Sequence, residues 1–264
     1  MNKDFVICVS NDNVGVDAIK TIDAVKKVGF NNTFIQWYDK DFSISQLKQV
    51  EYIKELGLNI EFAHLGYQNI NEIWIDGQIG ETLVDRYCKD ILDCHNLGIN
   101  MVVMHLVSKW IAPKYNEIGL NRIKKIVEYA DKLGIKIAFE NTKLLGYIEY
   151  VLDNINNDNI GICFDVGHYH CNNKDNWNIS RFKDKIFCVH LHDNNGLSDQ
   201  HLLPLDGTIN WPKIIKLLNE LNYNGPITLE LIYRNDYLNM NINDFYNEAY
   251  KRAMAISELI WNLN

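Results

Sequence analysis

Several features that would assign a chain to a specialised class are missing from this sequence. None of its six cysteines forms a C-x-x-C pair, so neither a zinc knuckle nor a thioredoxin-type redox motif is indicated. No G-x-G-x-x-G motif follows the first strand-like run, so the dinucleotide-binding fingerprint is missing too. Only four prolines occur in 264 residues, and no segment has the composition of a linker. We therefore expect one domain over residues 1–264.

Long apolar runs are also missing. No segment approaches the roughly 20 consecutive apolar residues of a membrane-spanning helix. The first residues, MNKDFVICVSNDN, lack the apolar stretch of a signal peptide. These features predict a cytoplasmic protein with no membrane partner. Thiols stay reduced in that compartment, so Cys8, Cys163 and Cys188, which lie in apolar strand-like runs, are expected to be free and structural.

Basic residues are fewer than acidic residues. The chain has 26 Lys and Arg against 34 Asp and Glu, a formal net charge of -8. Because nucleic acids are bound by basic side chains that displace counterions, this balance argues mildly against a nucleic-acid partner, although it does not exclude a local basic groove. Apolar residues, in contrast, make up 47% of the chain, which is enough for a large core at this length.

Four similar segments organise the first half of the chain. Each reads as a helix end, a glycine and then a strand, because glycine readily adopts the left-handed conformation that ends a helix. The predicted glycines are Gly29, Gly57, Gly98 and Gly134.

About eight strands are predicted along the chain, and a helix-competent segment follows most of them. They lie near residues 5–10, 33–38, 59–65, 100–106, 136–141, 160–166, 186–192 and 227–232. The strands are apolar throughout, which is typical of parallel strands covered on both faces. Eight βα units predict a (β/α)8 TIM barrel of the α/β class. A doubly wound open sheet is the alternative, although polar groups on six strands would converge poorly in it.

Polar side chains stand at the downstream ends of the last four runs. They are Glu140, Asp165, His168, His190 and Glu230. A buried carboxylate loses its hydration and needs a positive partner. Each group alone is best interpreted as a hydrogen-bonded core residue, but together they predict one divalent-metal site. Mixed carboxylate and imidazole ligands suit Zn, Mn, Fe or Co.

Four further groups have two open interpretations. His64 and His105 close the third and fourth strand-like runs, and Asp199 and His201 lie in the loop after the seventh. Each histidine could be an ordinary core residue, and the loop pair could be solvated. Their common position at one end of a barrel makes additional metal or substrate ligation an equal alternative.

The sequence resembles a known family in its second half. The segments that carry the resemblance are FEN, FDVGH, VHLHD, DQHLLPLDGTINW and LEL, between residues 139 and 231. They resemble the xylose isomerase-like TIM-barrel superfamily, which contains sugar and sugar-phosphate isomerases and epimerases as well as endonuclease IV. The resemblance to the epimerase branch implies a metal-dependent isomerase or epimerase of a ketose or polyol-derived sugar, acting by proton abstraction next to a carbonyl through a metal-stabilised enediolate.

The same resemblance implies roles for individual residues. The metal ligands would be Glu140, Asp165, His190 and Glu230. The two glutamates would also act as acid and base on opposite faces of the substrate carbon, and His168 would contact substrate oxygens. One divalent ion (Zn, Mn, Co or Fe) is the expected cofactor. No Gly-rich phosphate loop follows the last two strands, which favours a free ketose or keto-inositol-like polyol over a sugar phosphate.

Endonuclease IV offers an alternative of another class, zinc-dependent phosphodiester hydrolysis at abasic DNA. Nine residues match the order of its three-zinc ligands: His64, His105, Glu140, Asp165, His168, His190, Asp199, His201 and Glu230. Up to three ions would then bind. The first strand, however, ends in ICVSNDN where the nuclease has Gly-Ala-His, and many isomerases also keep the D-x-H pair. The loops at 106–115, 141–145 and 169–179 carry few cations for a DNA groove.

Three further points stay open. A barrel that binds a metal without catalysis is a third interpretation, and the sequence does not decide whether the chain forms a homo-oligomer. Five aromatic residues near strand ends could form an apolar wall for a sugar ring or could be ordinary packing. They are Trp37, Tyr38, Tyr67, Trp110 and Trp177.

Overall fold

A computed structural model describes residues 7–10, 16–37, 44–174 and 176–261. Eight parallel strands in these ranges form a single sheet whose order follows the chain. They are β1 (Ile7–Ser10), β2 (Asn32–Trp37), β3 (Asn59–Leu65), β4 (Met101–Met104), β5 (Lys136–Glu140), β6 (Ile160–Asp165), β7 (Ile186–His190) and β8 (Ile227–Leu229).

The sheet closes on itself. β1 pairs with both β2 and β8, and Leu191, just after β7, bridges Leu229 of β8 in parallel. The predicted (β/α)8 barrel in a single domain is therefore confirmed, and the open doubly wound sheet is wrong. Closure brings the carboxyl ends of all eight strands to one mouth.

Helices follow the strands and cover the outside of the barrel. They are α1 (Ala18–Val28), α2 (Gln46–Glu55), α3 (Gln78–Asn96), α4 (Glu117–Lys132), α5 (Gly146–Asn154), α6 (Val166–Cys171), α7 (Trp211–Glu220) and α8 (Ile242–Trp261). Short 3-10 helices span Ile70–Trp74, Ile179–Lys185 and Asn235–Tyr237. The four glycines predicted at helix ends all have positive φ, between 65° and 107°, as the left-handed cap requires. Within the described residues, no helix combines the length and apolarity needed to cross a bilayer.

Several strands are shorter than predicted, β4 and β8 most of all. β4 ends at Met104 and β8 at Leu229, so His105 and Glu230 follow their strands directly. Beyond Leu229 a side chain replaces the sheet ladder, since the Ser10 hydroxyl accepts a hydrogen bond from the Leu231 amide at 3.0 Å and donates to its carbonyl at 2.9 Å.

The barrel interior is filled by a layer of small and aromatic side chains beneath the mouth. They are Cys8, Phe34, Phe62, Val103, Ala138, Cys163 and Cys188. The rings of Phe34 and Phe62 stack at 4.7 Å, and the imidazole of His190 stacks on Phe34 at 5.4 Å. All six cysteines are free, as predicted. This layer forms an apolar floor under the polar groups at the mouth.

Candidate active site

Four predicted ligand groups converge at the carboxyl ends of β5 to β8. Glu140, Asp165 and His190 are the last residues of their strands, and Glu230 directly follows β8. One ligand atom of each lies within 4.8 Å of those of the others, and all four residues are buried. A TIM barrel aims strand-end side chains into its mouth, so four separate segments supply one compact cluster.

His190 shows how well this cluster suits a cation. The residue is fully buried, and neither ring nitrogen makes a hydrogen bond within the described part of the chain. Its Nδ1 nevertheless lies 3.2 Å from a Glu230 oxygen, 3.6 Å from Glu140 and 3.7 Å from Asp165. A buried imidazole is normally hydrogen-bonded. A nitrogen that lacks such a bond but faces three carboxylates is a suitable donor for a divalent metal.

Glu140 is contacted by three further histidines. Its Oε2 lies 2.9 Å from Nε2 of His64 and 3.0 Å from Nε2 of His105. Its Oε1 lies 3.0 Å from Nδ1 of His168. The structure thus places His64 and His105 at the site, where the sequence left an ordinary core role equally open.

Asp199 and His201 form a second group beside the four ligands. Oδ2 of Asp199 lies 3.1 Å from Nε2 of His168 and 3.2 Å from Nε2 of His201. Nδ1 of His201 lies 3.0 Å from the Glu230 carbonyl oxygen. The loop after β7 therefore folds back over the mouth and carries both side chains into the site.

In their neutral form, three histidines of the site would have fewer N–H groups than oxygen partners. Both ring nitrogens of His64, His168 and His201 face oxygens at 2.9 to 3.2 Å. A neutral imidazole carries only one N–H, so its other nitrogen would direct a lone pair at an oxygen. Either a proton or a cation must lie there. The residues present therefore fit a divalent metal at the centre, and the flanking pairs could hold more.

The electrostatics of the site favour charged groups despite their burial. Burial raises the pKa of Glu140, but the imidazoles of His105, His168 and His64 outweigh it and hold the pKa well below its usual range. Burial lowers the pKa of His201, whereas Asp199 and Glu230 outweigh that effect and raise it to about 9. Carboxylates and imidazoles thus stabilise each other's charged forms.

Two site residues, His192 and Asp193, were missed by the sequence analysis. His192 lies 3.2 Å from Oδ2 of Asp165, and both residues are fully buried. Asp193 accepts three hydrogen bonds from amides of the loop that carries Asp199 and His201, and a fourth from the Trp211 indole at the start of α7. A signal was available for His192, because alternation along an extended chain places it on the same face as His190.

Asn141, in the FEN segment, is a further residue to which the sequence analysis assigned no function. Its side-chain oxygen accepts from the Asp165 amide at 2.7 Å, and its Nδ2 donates to the Asp165 carbonyl at 2.9 Å. This two-way contact joins the ends of β5 and β6, and it fixes the backbone that presents Glu140 and Asp165.

The five aromatic residues near strand ends have different surroundings. Trp37 and Trp177 are buried in the core outside the barrel, and Trp110 is exposed. Tyr38 lies outside the described residues. Tyr67, however, stacks on the His105 ring with centroids 4.4 Å apart and planes 10° apart. Of the four aromatic residues that the structure describes, Tyr67 therefore lies against the cluster of candidate ligands.

Comparison with known proteins supports the fold. A family model described as xylose isomerase-like TIM barrel matches residues 14–257. The chain belongs to this family. Inosose isomerase from Halalkalibacterium halodurans is 24% identical over 267 aligned residues, which cover 90% of each chain. A probable endonuclease 4 from Mesoplasma florum is 28% identical over 178 residues, covering 58% of this chain and 60% of that one.

Solved structures of the xylose isomerase-like family share the fold. A D-tagatose 3-epimerase-like protein superimposes with a TM-score of 0.71 at 22% identity, covering 96% of this chain and 98% of that chain. The IOLI protein, described with a binding zinc atom, superimposes with a TM-score of 0.73 at 18% identity, covering 95% and 97%. Both structures therefore share the fold of this chain over nearly their whole length.

Proposed function

We propose that this protein is a divalent-metal-dependent isomerase or epimerase of a ketose or keto-polyol. The observation that carries the proposal is the convergence of Glu140, Asp165, His190 and Glu230 on one point, with His190 lacking any hydrogen bond among the described residues. The inosose isomerase relative and the epimerase-like structure support a sugar substrate. A bound divalent ion would polarise the substrate carbonyl and offset the negative charge that develops on its oxygen.

The two glutamates differ as proton-transfer groups. Both oxygens of Glu140 face imidazoles, and its side chain is 1% exposed. The ionic contacts of Glu230 within the described residues use Oε2 alone, and its side chain is 9% exposed. Glu230 therefore has an oxygen free to take the proton next to the substrate carbonyl. Glu140, held as a carboxylate by its three histidines, would pass a proton from one of them to the opposite face of the carbon.

Charge around the site favours a neutral substrate. Within the described residues, the ion pairs of Glu140, Asp165 and Glu230 are all with histidines, and none is with lysine or arginine. A phosphate group would need such cations nearby, because it carries a negative charge towards a site already rich in carboxylates. A free ketose or keto-polyol is therefore the preferred substrate class.

The reaction can be tested by isotope exchange. A panel of ketoses and keto-inositols is incubated with the Mn- or Co-loaded protein in deuterated water, and deuterium next to the carbonyl is measured by NMR. The proposal expects deuterium at that carbon. Glu230→Gln is the matched variant, since it keeps a neutral oxygen ligand but removes the base, and exchange should fall about 10²- to 10⁴-fold. Exchange near the wild-type rate in this variant would assign the base elsewhere.

A nuclease of the endonuclease IV type is the second candidate, and one observation favours it. Potential ligands flank the central cluster on both sides. His64 and His105 contact Glu140, and His201, which contacts Asp199, lies 3.6 Å from Glu230. This arrangement could hold three ions. Anomalous scattering at the zinc edge and cleavage of duplex DNA with an abasic analogue test it directly. Three full-occupancy ions with DNA cleavage and no ketose exchange would establish the nuclease and refute the isomerase.

A further inference from the structure

His192 lies within the site, yet the proposed chemistry gives it no role. It is fully buried, with Nε2 3.2 Å from Oδ2 of Asp165 and 3.7 Å from Oδ1 of Asp199. Its Nδ1 makes no hydrogen bond in the described part of the chain. A proton on Nε2 fits these contacts, because that N–H can donate to the Asp165 carboxylate. His192 thus connects the end of β6 with the loop that carries Asp199.

The space for this ring is provided by a glycine. A Cβ placed on Gly167, in α6, would lie 1.9 Å from Cε1 of His192. No side chain fits at that distance, so the FDVGH segment needs glycine here for close approach and not for an unusual φ. Two separate segments, around 167 and around 192, are therefore matched to place one imidazole against Asp165.

The ring also supports the loop after β7. His192 stacks on His201 with centroids 4.0 Å apart and planes 18° apart. Ligand atoms of His192, His201 and Glu230 lie close enough together to suggest a second metal group. The stacking argues against that role, since an imidazole nitrogen directs its lone pair within its ring plane. An ion in the plane of one of these rings would lie well outside the plane of the other.

We propose that His192 is a positioning residue with two separable functions. First, its N–H holds the Asp165 carboxylate in the orientation that faces His190 and Glu230. Second, its ring face packs against His201 and so holds the loop at 194–210 over the mouth. The inference rests on the proposed function because it assumes that Asp165 binds a divalent ion. Groups that orient a metal ligand commonly contribute 10- to 100-fold to metal affinity.

Two variants separate these functions. His192→Phe keeps a ring against His201 but loses the N–H, whereas His192→Gln keeps a donor but loses the stack. Calorimetric titration of Mn²⁺ into the metal-free protein should show affinity lowered about 10- to 100-fold in His192→Phe and near the wild-type value in His192→Gln. Limited proteolysis should cleave the loop at 194–210 faster in His192→Gln than in His192→Phe. His95→Gln, at an exposed histidine in the last turn of α3, is the matched control.

The outcomes distinguish this inference from the proposed function. Wild-type affinity in His192→Phe, or an ion located between His192 and His201 in an anomalous map, would overturn the positioning role alone. A wild-type protein that binds no Mn²⁺, Zn²⁺ or Co²⁺ would overturn both proposals. Gly167→Ala would displace the His192 ring, because its Cβ would occupy the space of that ring, and it should weaken metal binding by a similar factor. This variant gives a second test of the proposal if His192→Phe does not fold.

Discussion

Replacing Asp193 by asparagine should destabilise the fold strongly, although the change removes a single charge. The Asp193 carboxylate is fully buried. Its Oδ1 accepts from the amides of Asn194 at 2.9 Å and Ile209 at 3.1 Å. Its Oδ2 accepts from the Leu205 amide at 3.0 Å and from Nε1 of Trp211 at 2.8 Å. These bonds hold the two ends of the loop that carries Asp199 and His201.

The size of the effect follows from this hydrogen-bond pattern. An asparagine has one carbonyl oxygen and one NH₂ group, so in either orientation the NH₂ faces two N–H donors. Two bonds to a charged acceptor are then lost, each contributing about 1.5–3 kcal/mol, and two donors are left buried. We expect Asp193→Asn to lower the free energy of unfolding by about 3–6 kcal/mol.

Urea denaturation of the metal-free protein, followed by circular dichroism, measures this loss without a contribution from metal binding. The matched control is Asp158→Asn, because the Asp158 side chain is fully exposed and its ion pair with Lys185, the one it has among the described residues, is 3.6 Å long. That variant should lie within about 0.5 kcal/mol of wild type. A loss below about 1 kcal/mol in Asp193→Asn would refute the inference that this carboxylate anchors the loop.

Three further predictions follow from packing and burial. Glu140→Gln and Asp165→Asn should each reduce metal occupancy, measured by elemental analysis. The circular dichroism spectrum should stay unchanged, because a core of this size does not depend on one cation. Full occupancy in both variants would contradict the ligand assignment. Gly119→Ala places a Cβ 2.0 Å from the buried Trp74 ring and should cost about 1–3 kcal/mol in urea denaturation; an unchanged midpoint would contradict this. Burial raises the pKa of the Cys8 and Cys163 thiols. A thiol reagent near pH 8 should therefore modify at most the half-buried Cys88 in the native protein. Rapid modification of several thiols would show that the core is open.

Much of the fold could be predicted from the sequence because its determinants are local. Glycine at 29, 57, 98 and 134 ends helices through its own conformational freedom, and apolar runs of strand length between these points define the strands. Eight such units are the number that closes a barrel. The positions of Glu140, Asp165, His190 and Glu230 at one mouth follow from the same register, since each stands at a strand end.

Other features depended on contacts between distant segments. The sequence did not decide whether His64 and His105 are core or site residues, because either role places an imidazole after an apolar strand. Only the closed barrel brings both within 3.0 Å of Glu140. The match between Gly167 and His192 spans two βα units, and the stacking of His192 on His201 depends on the path of a long loop. Local sequence determined which groups reach the mouth. The tertiary structure decided which of them meet, because hydrogen bonds and stacking require distances that only the folded chain sets.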